Sequence, residues 1–411
     1  MSTRSFRDRY AGALGNAAPT SASVEAAMEW PLPRGGRPSR TAEGECVVSD
    51  QVYVGPEIAA ALDAFRACRS ADRQRFTDAR DMIFLDTETT GLSGGTGTHV
   101  FLVGVGRFNG DALHVRQFFM RHPGDERALL AALAVDIAEI GALVTYNGRS
   151  FDVPLLETRY RMHGQSFASP EQHIDLLSPA RAIWKHRLPS CSLGTIERMI
   201  LGVERELDAP GWLIPQLYFD YLRTRRIETL EPVFEHNRID IVTLARLTAL
   251  VHLYESGLDT PPNDIDRLAL ALYRLRRLGD DAAIASVSEL WRTPTAPVEL
   301  RLRALRELST VLKRRRRYSV ACDEWIAGMR DPARPIRLFA AEELAKYLEH
   351  RERDPARALE VVRRGADGAA LARDTVALAA FERRLRRLER KMQASSGEVS
   401  LSSPEEKVKS S

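Results

Sequence analysis

The sequence has few cysteines, little net charge and no long apolar run. Its four cysteines, Cys46, Cys68, Cys191 and Cys322, are scattered, which argues against both a disulfide framework and a zinc site. No stretch approaches the ~20 apolar residues of a membrane helix, and the first residues lack the apolar core of a secretory signal. We therefore expect a cytoplasmic protein with no membrane partner. The formal net charge of +3 does not by itself indicate a nucleic-acid ligand.

Composition divides the 411 residues into two predicted domains with tails. Residues 1–45 are rich in Ala, Ser, Gly, Pro and Arg without periodicity, and residues 393–411 are polar, so both are predicted to be disordered. Residues 46–79 are an N-terminal extension, 80–258 read as an α/β domain, and 263–392 are helical and rich in Leu, Ala, Arg and Glu. The length is sufficient for two full cores.

The helical domain shows a weak internal repeat. Ala283, Ala321 and Ala358 occupy similar places in three segments, at spacings near the period of tetratricopeptide-type helix pairs. The domain resembles a degenerate tetratricopeptide-like array, which could bind a protein partner, although a plain helical bundle is the alternative. The run Lys-Arg-Arg-Arg-Arg at 313–317 could contact phosphates, or it could be a solvated helix face.

An acidic pair follows an apolar run near the start of the α/β domain. Residues 82–85 predict a buried strand, and because strand side chains alternate, Asp86 and Glu88 point to the same face. Two carboxylates at a buried strand end repel each other unless a cation lies between them, and hard oxygen ligands suit Mg²⁺ or Mn²⁺. The alternative is a strand that ends in a turn, with both acids solvated.

Two later segments place further polar residues at the beginnings of helices. A predicted strand leads into a turn at Asn147 and then a helix whose first turn holds Asp152. Asp152 could favour the helix dipole or face the acidic pair. Further on, His236 and Asp240 are four residues apart and therefore share one helix face. Taken alone, that pair could equally be a surface contact.

These segments read D-x-E, then N-G-x-x-F-D, then H-N-x-x-D. In that order they resemble the DEDD superfamily of 3′–5′ exonucleases, and within it the YprB-type ribonuclease-H-like proteins, over roughly residues 80–255. The resemblance implies an α/β fold with a ribonuclease-H-like mixed sheet flanked by helices, followed here by the all-α helical-repeat domain. Other matching stretches are residues 92–98, 173–177, 191–193, 197–202 and 209–211.

The resemblance also implies a chemistry. Asp86, Glu88, Asp152 and Asp240 would hold two Mg²⁺ or Mn²⁺ ions, and His236 would accept the proton of an attacking water. The superfamily places either a tyrosine four residues before the last aspartate or a histidine five residues before it. Here a histidine takes the tyrosine spacing. Because one residue is a rotation of about 100° on a helix, the two patterns aim the side chain differently.

Seven further residues are predicted to contact substrate: Thr89, Asn147, Arg149, Ser150, Asp175, Arg181 and Lys185. Ser150 is also the predicted N-cap of the helix that carries Asp152. Asp175 ends a predicted strand, and capping of the next helix is its alternative role. Arg181 and Lys185 flank Trp184, a mixture that suits phosphates and a stacked base, although Trp184 could instead be core.

The leading hypothesis is a metal-dependent nuclease, in which the resemblance implies hydrolysis from a 3′ end. Single-stranded DNA is the favoured substrate and RNA the second. Two alternatives are a non-catalytic nucleic-acid-binding or scaffold protein with a decayed nuclease fold, and a proofreading subunit linked to a polymerase. Trp212 and Tyr218 are expected to be packing residues.

Overall fold

The chain divides into two compact units, one ending at Thr260 and the other beginning at Pro261. No helix in the described stretches combines the length and the apolar character needed to cross a lipid bilayer. The computed structural model describes residues 30–91, 96–138, 140–205 and 209–399.

A seven-stranded mixed sheet forms the centre of the first unit and confirms the predicted α/β class. Its order is β1-β2-β5-β4-β3-β6-β7, in which β3, β6 and β7 run parallel and the other neighbours are antiparallel. Asn109-Gly110 is a turn sequence typical of a β-hairpin. A hairpin joins β4 to β5 there, with Gly110 at a φ of 61°, as its tight turn requires. The strands are β1 (Gly36–Thr41), β2 (Gly44–Tyr53), β3 (Met82–Thr89), β4 (Val100–Asn109), β5 (Ala112–Phe119), β6 (Ala142–Thr145) and β7 (Gln172–Asp175).

The sheet begins earlier in the chain than the sequence predicts. β1 lies within residues 1–45, and β2 continues the sheet by pairing with β5. The prediction of disorder is therefore wrong for residues 36–45, while residues 1–29 lie outside the described stretches. The extension at 46–79 is also part of the first unit, because it supplies β2 and helix α1 (Pro56–Ala71).

Helix α7 (Glu231–Ser256) crosses the sheet closely because two glycines on β4 leave room for it. A methyl group on Gly104 would lie 2.2 Å from Oδ1 of Asn237, and one on Gly106 would lie 2.4 Å from Cγ2 of Ile241. Alternate glycines in a strand commonly mark such an approach. The α-helices between α1 and α7 are α2 (Glu126–Ile137), α3 (Asp152–Met162), α4 (Leu177–Trp184), α5 (Leu193–Ile196) and α6 (Ile214–Thr224).

The second unit is all-α, as predicted. Ala283, Ala321 and Ala358 are buried on α9, α11 and α13, which are the second helices of three successive pairs. Its tetratricopeptide-like character stays a prediction. The final helix continues to Val399, so the predicted disorder is wrong for residues 393–399, and residues 400–411 lie outside the described stretches. The helices are α8 (Asp264–Arg277), α9 (Asp281–Leu290), α10 (Val298–Arg314), α11 (Tyr318–Gly328), α12 (Arg334–Tyr347), α13 (Pro355–Leu371) and α14 (Thr375–Val399).

Candidate active site

The acidic pair lies at the end of β3, in the middle of the sheet. Asp86 and Glu88 stand opposite Gly104 and Leu102 of β4. Since they are two residues apart on one strand, they share a face of the sheet. Glu88 is buried and Asp86 is half-buried, so the strand places both carboxyl groups in surroundings with limited hydration.

Asn237 of α7 fixes the orientation of Asp86. Its Nδ2 donates to Oδ2 of Asp86 at 2.9 Å and to the Asp86 carbonyl oxygen at 3.3 Å. Gln117 of β5 in turn donates through Nε2 to Oδ1 of Asn237 at 2.8 Å. Gln117 and Asn237 are both buried, so this chain of amides holds the carboxylate from one side.

Asp152 is the first residue of α3, as the sequence predicts, but Ser150 does not cap this helix. The residue before the helix is Phe151, and no side chain caps it. Oδ1 of Asp152 accepts a hydrogen bond from the Thr87 hydroxyl at 2.5 Å. Burial, together with a smaller effect from the charge of Asp175, raises the pKa of Asp152 to about 6, against the opposing effect of that hydrogen bond.

Asp240 and His236 share one face of α7 and both contact Arg205. The Arg205 guanidinium donates to Oδ1 of Asp240 and, at 2.8 Å, to Nδ1 of His236. It also binds Glu197 through two hydrogen bonds of 2.7 Å. Burial raises the pKa of Asp240, while His236 and Arg205 oppose that rise and Glu197 adds to it. His236 Nε2 lies 3.5 Å from Oδ2 of Asp240.

Three of the four predicted acids act electrostatically on the fourth. Burial, and then the charges of Asp240, Glu88 and Asp152, raise the pKa of Asp86 well above its ordinary value, against the hydrogen bond from Asn237. Within the described residues, however, no three His, Cys, Asp or Glu side chains are grouped closely enough to hold a metal ion. The carboxyl oxygens have the chemistry that a hard divalent cation needs, although Arg205, Asn237 and Thr87 bind some of them here.

A cleft of about 590 Å³ lies beside these acids. Phe151 in its wall is 53% exposed, and Trp212, next to the lining residue Gly211, is 71% exposed. The expectation that Trp212 packs in the core is therefore wrong, whereas Tyr218 is fully buried. The lining residues are Thr87, Glu88, Thr89, Gly91, Asn147, Ser150, Phe151, Asp152, Pro154, Leu155, Thr158, Gly211, Ile214 and Pro215.

Three of the predicted substrate contacts, Thr89, Asn147 and Ser150, line this cleft. Arg149 is not among the lining residues, and its guanidinium donates to the His173 carbonyl oxygen. The substrate roles of these four residues stay predictions.

Asp175 ends β7, but its alternative role as the cap of the next helix is not observed, because the N-cap of α4 is Leu176 and no side chain caps that helix. Its carboxylate accepts hydrogen bonds from the backbone amides of Asn147, Arg149 and Leu177. It thereby joins the end of β7 to the turn before α3.

Arg181 on α4 and Lys185 just after it are exposed, while Trp184 between them is buried. The core alternative therefore holds for Trp184, and base stacking on it is excluded. Contact of the two cations with phosphates stays a prediction.

Arg205 and Gln117 are the residues that motif reasoning missed. Arg205 lies in an irregular segment far from Asp240 in sequence, so no local periodicity marks it. Gln117 lies on a strand of the hairpin, where its polar side chain at a buried position was the available signal. The Gly104 and Gly106 pair on β4 was a third signal, because glycine at alternate strand positions indicates close backbone approach.

Comparison with known proteins agrees with this geometry. Residues 83–252 match the RNase_H_2 family model of the RNase H superfamily. The chain is 35% identical over 295 residues to the uncharacterized protein YprB of Bacillus subtilis (strain 168), covering 71% of this chain and 70% of that protein. Ribonuclease-H-like folds support nuclease activity, and such nucleases generally use divalent metals. The chain belongs to the YprB family of ribonuclease-H-like proteins.

Proposed function

We propose that this protein is a divalent-metal-dependent nuclease that acts as a 3′–5′ exonuclease on single-stranded DNA, with RNA as the second candidate substrate. One observation carries the proposal. The four acids of the DEDD pattern lie close enough for three of them to raise the pKa of the fourth, Asp86. They do so beside a cleft whose wall includes Glu88 and Asp152.

Asp86, Glu88, Asp152 and Asp240 are the residues that would hold two Mg²⁺ or Mn²⁺ ions. A cation would relieve the repulsion that raises the pKa of Asp86. When bound, such ions neutralise phosphate charge and lower the pKa of water. Arg205 and an ion would compete for the same oxygens of Asp240, because the guanidinium already binds one of them.

The other residues orient the acids or move protons. Asn237 orients Asp86, and Thr87 orients Asp152. His236 is our candidate general base. Since Arg205 can only donate, Nδ1 of His236 accepts, and a neutral imidazole then carries its proton on Nε2. For His236 to take up a proton, its contact with Arg205 has to open.

The aromatic residues at the cleft favour a single strand. Phe151 and Trp212 present large apolar surface to solvent, and exposed rings near a site for phosphate chemistry suit unpaired bases, which can stack on them. A base within a duplex is already stacked and cannot make this contact.

A second candidate function is nucleic-acid binding or scaffolding without catalysis. The Arg205 ion pair with Asp240 favours it, because a permanently bound guanidinium would replace the charge of a metal ion. This candidate predicts that the protein binds oligonucleotides but leaves them intact.

The experiment is a nuclease assay with a matched control. End-labelled single- and double-stranded DNA and RNA are incubated with Mg²⁺, Mn²⁺ or EDTA. Asp86→Asn is compared with Asp63→Asn, which makes the same change at an exposed residue paired with Arg66.

We expect ladders that shorten from 3′ ends with metal, none in EDTA, and loss of cleavage in Asp86→Asn alone. Cleavage that persists in Asp86→Asn would refute the proposal. Binding without cleavage in any metal would favour the scaffold.

A further inference from the structure

The second unit contains a groove lined by arginines from separate parts of the chain. It has a volume of about 330 Å³ and runs between α12 and α13, with the end of α11 contributing to its wall. Of its lining residues, Glu360 alone is acidic. We call this surface the arginine groove; its cationic residues are Arg330, Arg334, Arg337, Arg357 and Arg364.

The charge of the arginine groove is only partly compensated. Arg357 pairs with Glu352 and Arg364 with Glu360. In contrast, within the stretches that the structure describes, Arg330 and Arg334 form no ion pair with an acidic side chain, and both are exposed.

The position of Arg334 adds to this excess. It is the first residue of α12, whose first turn contains no acidic residue. The positive end of a helix dipole normally attracts acids. Asp331, two residues before the N-cap, is paired with Arg301 and with the Ala333 amide. The arginines of this first turn therefore keep positive charge for an anion from outside the chain.

The shape of the groove suits an extended polyanion better than a single phosphate. On α12 its lining extends from Arg334 to Leu344, a length of about 15 Å at the rise of an α-helix. Ala341 and Gly368, which have small side chains or none, form part of the floor and leave depth in the groove. Leu338 provides apolar surface between the cations, which sugars and bases can contact.

In the most basic run of the sequence, residues 313–317, most of the cations are paired with acidic side chains. Lys313 pairs with Glu343, and Arg315 and Arg317 both pair with Asp281. Three of its five cations therefore serve the packing of the helices. In the arginine groove, three of the five arginines (Arg330, Arg334 and Arg337) have no acidic partner in the described stretches. The groove therefore retains more of its charge for a ligand, although no basic run in the sequence marks it.

We propose that the arginine groove binds the sugar–phosphate backbone of single-stranded nucleic acid. The choice of nucleic acid among polyanions rests on the proposed nuclease function, while the need for an anion rests on the arginines themselves. Arg330 and Arg334 make the phosphate contacts in this account, because neither has an acidic partner in the described stretches. Arg337 has none either, but its guanidinium donates to the carbonyl oxygens of Asp331 and Pro332.

The test measures binding by the full chain in EDTA, where a metal-dependent nuclease cannot cut. A fluorescein-labelled oligothymidylate is titrated by anisotropy across a range of salt concentrations. Arg330→Gln/Arg334→Gln is compared with Arg314→Gln/Arg316→Gln, which removes equal charge from the 313–317 run. Thermal unfolding verifies that both variants are folded.

We expect the groove variant to bind about tenfold more weakly at low salt. The negative slope of log K against log salt should become shallower by about 1.4. Each phosphate contact to a single strand contributes ~0.7 to the slope, and the variant lacks two such contacts. The control variant should match the wild type. Equal binding by all three proteins would overturn the inference, as would competition by polyglutamate as effective as that by unlabelled oligothymidylate.

Cleavage measured on the same preparations separates the two proposals. Cleavage by the wild type with unaltered binding by the groove variant would refute the groove and leave the nuclease. Binding through the groove by a wild type that cuts no substrate would refute the nuclease and leave the groove.

Discussion

The packing of α7 on the sheet predicts a large effect from one methyl group. In Gly104→Ala the new Cβ would lie 2.2 Å from Oδ1 of Asn237, and Asn237 is fully buried and hydrogen-bonded to Gln117 and Asp86. Overpacking of this kind costs about 1–3 kcal/mol, and breaking a buried hydrogen-bond network costs about another 1–3. We expect a loss of about 3 kcal/mol in the free energy of unfolding, or about 6–12 °C in the Tm of the first unit.

Differential scanning calorimetry of the full chain measures this change. Gly194→Ala is the matched control, because a methyl group there meets nothing within 4 Å and helical alanine is favoured over glycine. In Gly104→Ala/Asn237→Ala the clash is removed, so the double variant should be less destabilised than the sum of the single variants. A Tm for Gly104→Ala close to that of the wild type would refute this account of how α7 reaches Asp86.

Two further predictions concern buried charges. Arg205→Gln leaves Asp240 without its cationic partner, and an unpaired buried charge costs about 3–5 kcal/mol of stability, to be measured by chemical denaturation. Glu126 has a pKa lowered to about 2, because hydrogen bonds from His99 and Arg159 outweigh the effect of burial. Its ionisation therefore stabilises the fold by about 3 kcal/mol above pH ~4.5, and that contribution is lost as the pH falls towards 2. The stability difference between wild type and Glu126→Gln should shrink over this range.

The control for Arg205→Gln makes the same substitution at an exposed arginine. Arg198→Gln, at an exposed position, should leave the stability within about 0.5 kcal/mol of the wild type. If Arg205→Gln behaved in the same way, its ion pair would have no structural role. For Glu126, a difference between wild type and Glu126→Gln that stays constant from pH 5 to pH 2 would contradict the lowered pKa.

Local patterns were sufficient to predict the centre of the first unit. An apolar run predicted β3, strand alternation put Asp86 and Glu88 on one face, and a turn signal located the β4–β5 hairpin. These features depend on residues close together in the chain, so a single sequence records them. The order of the D-x-E, N-G-x-x-F-D and H-N-x-x-D motifs carried the resemblance to ribonuclease-H-like proteins, which implied the fold of the whole unit.

Features that depend on distant partners could not be predicted. Residues 36–45 lack apolar periodicity, and β1 becomes a strand because β2, itself paired with distant β5, supplies its neighbour. Arg205 binds Asp240, but the two residues are far apart in sequence and no motif contains both. For the basic run at 313–317, the sequence could not decide between phosphate contact and a solvated helix face, because the partner Asp281 is remote in sequence.

The claim on which the account depends is that Asp86, Glu88, Asp152 and Asp240 together bind divalent cations. Anomalous diffraction from crystals of the full chain soaked in Mn²⁺ tests it most directly. The account predicts manganese peaks about 2 Å from oxygens of Asp86 and of at least one other of these acids. Manganese bound only elsewhere, with Asp240 still paired to Arg205, would contradict it.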